Sequence, residues 1–572
     1  MNESEARVLK TKTIPNIERR VGTKGRLAAV GARLGASILV LAAHLLLPSS
    51  AIAAVQTNLV AMRDGVKLAT DVYLPDGDGP WPVIFLRFPY NKALGAGVGP
   101  DANRRGYAFV AQDTRGRFAS EGENLPFDAD GHADGKWDGY DSAAWIAKQP
   151  WCNGKIGTWG GSAGAITQYF LAGTGQTNVV SQHLTVGTGS LFREGMYRGG
   201  IFRKSLVEDW LKATKFEPYA LDLWTTNYPY SKYWKDREIT AQFGNVNAAG
   251  IHIGGWFDIF AQATVDAFVG YQTKGGAGAK GKQKLIMGPW THGVLQEKAG
   301  DQTFPGAKTT PGDVHDSWKW FAATLKGETN GILDRPTVTY YVMGAMGEEG
   351  APGNEWRTSD RWPPVKTTER ALYLHPDRSA SFAESTEAGT AAYVSDPANP
   401  VPAVGGYELT LPAGPKDQRP IESRPDVLVF TSAPLEAPLE ITGNVIARIQ
   451  FASDAPDTDL IVRLCDVYPD GRSFNICEGA LRLRFREQLD REVWLKQDDL
   501  ALVELPLWPT SMVFNRGHQI RIHIASTSAP ALEPNLQNGG RPRTGEPRRA
   551  TNQISLGKNG SRLILPVAIA NR

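Results

Sequence analysis

A tight turn of small residues between a strand pattern and a helix pattern constrains the fold of this chain more than any other feature. Residues 155–159 have the pattern of a buried strand, residues 163–172 that of a helix, and the segment GGSAG at 160–164 joins them. Bulkier residues would collide with the strand or the helix in such a turn. The turn lifts the Ser162 hydroxyl out of the sheet and leaves the Ala163 N–H at the helix start, where it can stabilise an oxyanion. A glycine-rich structural turn is the alternative, but this context favours a nucleophile.

The first half of the chain alternates strand-length apolar runs with helical patterns. Asp64-Gly65 between two alternating apolar stretches predicts a β-hairpin. Continuous apolar runs are typical of strands buried on both faces of a parallel sheet. Such runs lie at 82–88, 107–111, 179–186, 251–254 and 284–287, with a helical pattern at 139–148. The alternation predicts the α/β class, in which helices cover a parallel sheet.

The pattern changes twice further along the chain. Residues 191–247 are rich in Trp, Tyr and Phe and interrupt the alternation, which indicates a helical cap inserted over the sheet. Beyond about residue 340, short alternating strands recur, two of them at 439–451 and 481–486, as is typical of a β-sandwich or jelly roll. We predict an α/β core in two parts, 55–188 and 248–340, with the cap at 189–247 and a C-terminal jelly-roll (galactose-binding-like) domain at 341–572.

The amino terminus has the layout of a secretory signal. Basic residues precede an apolar run at 34–47, and small residues follow it. The run is shorter than the roughly 20 apolar residues that span a bilayer. We predict that residues 1–54 are a signal peptide cleaved after Ala53 or Ala54, and that the mature protein is periplasmic or secreted, with no stable membrane span. An uncleaved anchor is the alternative.

The charge balance argues against a nucleic-acid partner. The chain has 62 Lys and Arg against 60 Asp and Glu, a formal net charge of +2. Residues 1–53 contain eight of the basic and three of the acidic side chains, so the remainder carries about −3. A weakly acidic body has no basic surface for a phosphate backbone.

The cysteines leave two interpretations open. Three Cys make neither a disulfide framework nor a CxxC metal site. Cys465 and Cys477 flank a Pro-Asp-Gly turn, so a hairpin would bring them nearly opposite each other. A cross-strand disulfide formed after export is one interpretation, and two buried thiols are the other.

The nucleophile needs a base, because a serine hydroxyl reacts poorly at neutral pH. In this type of fold an acid and then a histidine follow the serine in chain order, each just past a strand. Asp258 and His292 both follow predicted strands, and Asp258 would hold the His292 ring in the right tautomer. Of the rival histidines, His252 lies within a strand and His315 on a predicted surface helix, so structural roles are favoured for both.

Five ordered motifs support this interpretation. They are RFPYNK at 87–92, QDTRGRFASEGE at 112–123, WCNGKIGTWGGSAG at 151–164, GGWFDIF at 254–260 and GPWTHG at 288–293. With these motifs the chain resembles the CocE/NonD hydrolases, a family that includes cocaine esterase, α-amino-acid ester hydrolases and X-Pro dipeptidyl peptidases. The resemblance covers nearly all of the chain after the leader, and it implies an α/β-hydrolase fold with a helical cap and a C-terminal jelly roll.

The resemblance also implies the roles of the site residues. Ser162 is expected to be the nucleophile, Asp258 the acid and His292 the base. Tyr90 is expected to donate its phenolic O–H to the oxyanion beside the Ala163 N–H. Family members similar to cocaine esterase often have Tyr directly after the serine, so Ala163 leaves the acyl pocket without one aromatic wall. This chemistry requires no metal and no organic cofactor.

The substrate pocket is less constrained by the sequence. Trp256 and Phe260 flank the acid, and we predict that they line an apolar pocket, with core packing as an equal alternative. Three acidic residues of the cap, Glu194, Glu208 and Asp209, are candidates for binding a substrate ammonium. Solvated helix charges are the favoured interpretation of these three.

Together these observations predict an exported serine hydrolase that cleaves a carboxylic ester of a small molecule through an acyl-enzyme. A second hypothesis is an amide-cleaving acylase or an X-Pro dipeptidyl peptidase. A third, outside the enzymes, is a carbohydrate-binding protein with an inactive hydrolase domain, against which the intact order of Ser, Asp and His argues. The acyl and leaving groups stay open, as does the oligomeric state, a homo-oligomer included.

Overall fold

The strand patterns of the first half form one mixed sheet. A computed structural model describes residues 55–497 and 499–569, so the predicted signal peptide lies outside the described residues. The ten strands of this sheet are Gln56–Ala61 (β1), Lys67–Tyr73 (β2), Trp81–Phe88 (β3), Ala108–Asp113 (β4), Cys152–Gly161 (β5), Val179–Thr185 (β6), Ala249–Gly255 (β7), Gln283–Gly288 (β8), Val338–Val342 (β9) and Glu355–Ser359 (β10).

The order of the strands confirms a parallel sheet with antiparallel edges. Across the sheet the order is β1-β2-β4-β3-β5-β6-β7-β8-β9-β10. The pairs from β4 to β9 are parallel, whereas β1 with β2, β2 with β4, and β9 with β10 are antiparallel. The Asp64-Gly65 turn joins β1 to β2, as the sequence predicts. Consecutive parallel strands end at one edge of the sheet, which is where such folds hold ligands.

Helices cover the sheet and build the cap. The α-helices are Gly99–Arg104 (α1), Asp138–Ala147 (α2), Ala163–Gly173 (α3), Lys204–Thr214 (α4), Ala220–Thr226 (α5), Lys232–Lys235 (α6), Ala261–Lys274 (α7), Ser317–Phe321 (α8) and Arg419–Glu422 (α9). The three helices α4 to α6 lie between β6 and β7, with a short strand pair at Tyr197–Arg198 and Ile201–Phe202 before them. No helix within 55–497 or 499–569 is long and apolar enough to cross a membrane.

The second half forms a β domain of thirteen strands. They are Thr367–Leu374 (β11), Ser379–Ser381 (β12), Ala388–Ser395 (β13), Leu428–Ser432 (β14), Leu439–Gly443 (β15), Ile446–Ser453 (β16), Asp459–Val467 (β17), Ser473–Arg482 (β18), Ala501–Pro506 (β19), Thr510–Phe514 (β20), Gln519–Ala525 (β21), Ala550–Gly557 (β22) and Arg562–Ala568 (β23). The fold class is therefore confirmed as an α/β-hydrolase with a C-terminal β domain.

Several predicted boundaries differ from the observed ones. The predicted limit after residue 340 falls inside β9, and β10 also belongs to the first sheet. The strand expected at 439–451 is broken into β15 and β16, and the strand expected at 481–486 ends at Arg482 in a 3-10 turn. Periodicity alone could not locate the two strand ends within 439–451 and 481–486, because apolar alternation continues across both of them.

Of the two interpretations of Cys465 and Cys477, the structure shows the two buried thiols. Both thiols are free and buried. Strands β17 and β18 pair with a bulge, so that Leu464 lies opposite Cys477 and Cys465 lies opposite Asn475. Successive side chains of a strand point to opposite faces, which separates the two thiols.

The β domain and the hydrolase part share one hydrophobic core. Trp256, Leu285 and Tyr340 from the first sheet region belong to the same buried cluster as Ile441 and Met512 from the second. A buried ion pair adds a polar link from the cap, since Arg198 lies 2.7 Å from Glu478 of β18. The hydrolase part and the β domain are therefore packed against each other as one body.

Candidate active site

The turn between β5 and α3 holds Ser162 in a strained conformation. Its backbone has φ 56° and ψ −122°, a region that L-residues rarely adopt. The Ser162 N–H donates to the Thr185 carbonyl at 2.9 Å, which ties the turn to β6. A Cβ on Gly160 would come within 3.2 Å of the Gly164 backbone, so a larger residue would force the strand and the helix apart. The serine is thus presented, partly exposed, at the carboxyl edge of the sheet.

The structure brings the three predicted residues together. The Ser162 Oγ lies 2.9 Å from Nε2 of His292, and Nδ1 of the same ring lies 2.8 Å from Oδ2 of Asp258. The serine and the histidine are 130 residues apart in the chain. They meet because β5, β7 and β8 are parallel and the loops after them open at one edge.

The Asp258 carboxylate is buried, and each of its two oxygens has a hydrogen-bond partner. Asp258 has no exposed surface, and its Oδ1 accepts the backbone N–H of Phe260 at 3.2 Å. Its Oδ2 faces the His292 ring. A carboxylate fixed in this way can orient an imidazole and stabilise its charged form.

Two donors face the serine from different elements. Ala163 is the first residue of α3, so its N–H has no acceptor within the helix. Tyr90 follows β3 in a turn at the same edge, and its phenol lies close enough to Ser162 to interact with it. Burial raises the pKa of Tyr90, which keeps the phenol protonated at neutral pH and able to donate.

Sequence reasoning missed one partner of this tyrosine. The Trp210 indole N–H donates to the Tyr90 hydroxyl at 3.0 Å, across 120 residues of chain. Trp210 lies on the cap helix α4. No sequence signal distinguishes it from the other tryptophans of an aromatic-rich cap.

The two aromatic residues beside the acid have different surroundings. Phe260 packs edge-to-face on the His292 ring, with centroids 5.7 Å apart. Trp256 has no exposed surface, and its indole N–H donates to the Tyr341 carbonyl at 2.7 Å. Phe260 therefore borders the site, whereas Trp256 belongs to the core between the two sheets.

The rival side chains have structural partners. His252 is fully buried between Tyr169 and Gln283, and burial lowers its pKa to about 4. The Nδ1 of His315 is hydrogen-bonded to the Thr310 hydroxyl at 2.7 Å. It lies before the short helix α8, not on the predicted surface helix.

The acidic cap residues do not form one cluster. Glu208 is in ion pairs with Lys204 and Arg543 at the surface. Burial raises the pKa of Glu194, whereas Asp209, on α4, forms no ion pair among the described residues.

The fold and this arrangement of serine, histidine and aspartate are those of serine hydrolases of the α/β class. Two family models match the chain: the X-Pro dipeptidyl-peptidase (S15 family) at residues 64–219 and 204–294, and the X-Pro dipeptidyl-peptidase C-terminal non-catalytic domain at 330–564. A curated relative, the cocaine esterase of Rhodococcus sp. (strain MB1 Bresler), is 31% identical, and the alignment covers 89% of this chain and 97% of the relative.

Solved structures show the same fold at lower identity. An aminopeptidase from the marine sediment archaeon Thaumarchaeota archaeon is 22% identical with a TM-score of 0.76, covering 92% of this chain and 98% of its own. An α-amino acid ester hydrolase is also 22% identical with a TM-score of 0.74, covering 91% and 98%. The chain belongs to the CocE/NonD family, as the motifs predict, and it is a serine hydrolase. The hypothesis of a carbohydrate-binding protein with an inactive hydrolase domain is therefore set aside.

Proposed function

We propose that this protein hydrolyses carboxylic esters of small molecules through a Ser162, His292 and Asp258 triad and an acyl-enzyme. The observation that supports it is the continuous pair of hydrogen bonds from the serine hydroxyl through the imidazole to a buried carboxylate, at 2.9 and 2.8 Å. A nucleophile, a base and an orienting acid within bonding reach are the minimum that this chemistry needs.

The first half of the reaction forms the acyl-enzyme. With the Nδ1–H of His292 donated to Asp258, the Nε2 lone pair accepts the proton of Ser162 while its Oγ attacks the ester carbonyl. The carbonyl oxygen becomes an oxyanion that the Ala163 N–H and the Tyr90 O–H stabilise. Collapse of this intermediate breaks the ester C–O bond, and His292 returns the proton to the leaving alcohol.

Water completes the cycle in the second half. His292 removes a proton from water, whose oxygen attacks the acyl carbonyl, and the same two donors stabilise the second oxyanion. Ser162 then leaves with the proton from His292, and a carboxylic acid is released. Each residue thus acts twice and is regenerated, and one water is consumed for each ester hydrolysed.

An ester is favoured over an amide for two reasons. The relative with 31% identity is named as an esterase. An alcohol also leaves with less need of protonation than an amine. The matching X-Pro dipeptidyl-peptidase model supports the alternative of an amide-cleaving enzyme. Such an enzyme recognises a free amine, so kcat/KM for free-amine and N-blocked substrates separates the two proposals.

Active-site labelling tests the proposal directly. A fluorophosphonate probe is expected to label the wild-type protein and not the Ser162→Ala variant. A panel of p-nitrophenyl esters and aminoacyl p-nitroanilides then identifies the preferred bond. Labelling that persists in Ser162→Ala, or turnover within tenfold of wild type, would show that another residue is the nucleophile.

We also propose that the protein is exported. The basic leader, the apolar run at 34–47 and the small residues after it support cleavage after Ala53 or Ala54. Amino-terminal sequencing of the protein from the periplasm or the medium is expected to begin at residue 54 or 55. Membrane-bound protein that retains residues 1–54 would support the uncleaved anchor instead.

A further inference from the structure

We propose that Trp210 is a positioning residue for the oxyanion site, acting through the hydroxyl of Tyr90. This inference rests on the proposed function, because it gives Tyr90 the role of an oxyanion donor. Its starting point is the hydrogen bond that the indole N–H donates to the phenolic oxygen at 3.0 Å. Trp210 does not hydrogen-bond Ser162, Asp258 or His292.

The bond matters because a phenol both donates and accepts. Its single O–H can turn about the C–O bond, so an isolated phenol does not present its proton in one direction. An N–H donor on the oxygen occupies a lone pair and repels the hydroxyl proton from that side. With Trp210 on one side of the oxygen, the Tyr90 O–H points away from the cap and remains free for an acceptor at Ser162.

The indole is itself held in a rigid stack. Trp210 is only 7% exposed. Its ring is parallel to that of Phe127, at 5.6 Å between centroids and 2° between planes, and to that of Trp224 at 6.5 Å and 3°. Phe216 packs on it at 5.0 Å. A donor locked by its neighbours does not need to reorganise when charge develops in the transition state, which is the condition for strong electrostatic stabilisation.

The backbone next to the phenol is held by a second residue. The Arg117 side chain donates through Nε to the Pro89 carbonyl at 3.0 Å, and its guanidinium lies 4.6 Å from the Phe216 ring. The turn and the hydroxyl of Tyr90 are therefore both held, the turn by Arg117 and the hydroxyl by Trp210. The cap thus contributes to the reaction geometry as well as to covering the site.

The test is a double-mutant cycle on the mature protein with a p-nitrophenyl ester. Trp210→Phe removes the N–H and keeps an aromatic ring, and we expect a loss of about tenfold in kcat with KM changed less than about twofold. In a Tyr90→Phe background the same substitution is expected to cost less than about twofold, because there is no hydroxyl left to orient. An equal loss in both backgrounds, or a loss in KM alone, would overturn the inference.

A matched control separates the lost N–H from lost packing. Trp234 is fully buried in the same aromatic cluster, and its indole N–H donates to the Asn227 carbonyl at 2.8 Å. Trp234→Phe is expected to lower the melting temperature at least as much as Trp210→Phe and to leave kcat unchanged. A kcat loss of the same size in both variants would assign the effect to packing.

An isosteric replacement covers the case in which Trp210→Phe does not fold. Incorporation of 3-benzothienylalanine at position 210 replaces the N–H by sulfur and retains the bicyclic ring. The same tenfold loss in kcat is expected, and wild-type kcat would overturn the inference. The proposed function fails separately, because Ser162→Ala tests it without changing Trp210 or Tyr90.

Discussion

Two buried histidines in this molecule are alike in the hydrogen bond at Nδ1 and differ in the hydrogen bond at Nε2. His292, at the edge of the first sheet, and His518, in the β domain, each have Nδ1 2.8 Å from the carboxylate of a buried aspartate. The Nε2 of His292 lies 2.9 Å from the Ser162 hydroxyl, whereas that of His518 lies 2.9 Å from the carboxylate of Glu348. An imidazole bonded to an aspartate is therefore not in itself a mark of a catalytic site.

The group on Nε2 decides what each ring can do. Burial opposes the charge on His518, but hydrogen bonds and attraction from Asp466 and Glu348 outweigh it and raise the pKa of the imidazole. When protonated, the His518 ring donates to both carboxylates and has no lone pair to accept a proton, so we interpret it as a structural clamp. This clamp fastens the loop between β9 and β10 to the β domain. At His292 the neighbour is a hydroxyl, which can give up a proton and react.

Substitution of each histidine in turn is expected to give the largest difference in kcat between the two sites. His292→Ala is expected to lower kcat by about 10⁶-fold, because the serine loses its base. His518→Gln is expected to leave kcat within twofold of wild type. Steady-state kinetics with a p-nitrophenyl ester measure both, and a large loss of kcat in His518→Gln would mean that the β domain acts on the reaction.

The two aspartates sharpen the same comparison. Asp258→Asn is expected to lower kcat by about 10⁴-fold, because an amide can hold His292 in the wrong tautomer. Asp466→Asn changes the bond to His518 in the same way and is expected to leave kcat unchanged. Equal effects of the two substitutions on kcat would contradict the assignment of roles.

The clamp is expected to matter for stability. His518→Gln leaves the buried carboxylate of Asp466 without its cationic partner, which is expected to lower the free energy of unfolding of the β domain by about 3 kcal/mol. Urea unfolding followed by limited proteolysis measures the effect.

The proposed oxyanion donors, Tyr90 and the Ala163 N–H, lie at the His292 site. Tyr90→Phe is expected to lower kcat by about 10²-fold, or about 2.7 kcal/mol in activation free energy, because one donor is lost. The loss is expected in kcat more than in KM, since the donor acts mainly on the transition state. An unchanged kcat would remove Tyr90 from the mechanism and leave the Ala163 N–H as the sole assigned donor.

The smallest expected effect is on the pH dependence of the free energy of unfolding, which tests whether the His518 ring is charged in the folded protein. The pKa of His518 is raised above its ordinary value of about 6.5, so the stabilisation by its charged form is complete below that pH and is lost as the pH rises through the higher folded value. The wild type is expected to lose more stability than His518→Gln between about pH 6 and pH 9. Parallel pH profiles would mean that His518 is not charged in the folded protein.

Much of the active-site edge of the first sheet could be predicted from the sequence, because the sequence patterns that indicate it are local. The apolar runs of strand length, the small residues around Ser162, and the positions of Asp258 and His292 just past strands all lie within short windows. Parallel strands then place such residues at one edge of the sheet. The hairpin at Asp64-Gly65 was predictable for the same reason.

Two questions stayed open in the sequence because long-range pairing decides them. The bulge between β17 and β18 moved Cys465 out of line with Cys477, and no local pattern marks that bulge. Trp256 flanks the acid in sequence yet is buried against the second sheet. Both depend on which surface a strand or a loop meets after folding.

The sequence by itself determined the α/β class, the serine turn and the chain order of the nucleophile, the acid and the base. Only the tertiary structure decided that His518 meets a second carboxylate, and that an indole of the cap reaches the Tyr90 hydroxyl 120 residues away. Periodicity and turn chemistry act over a few residues. Hydrogen-bond partners across the molecule depend on the packing of whole elements.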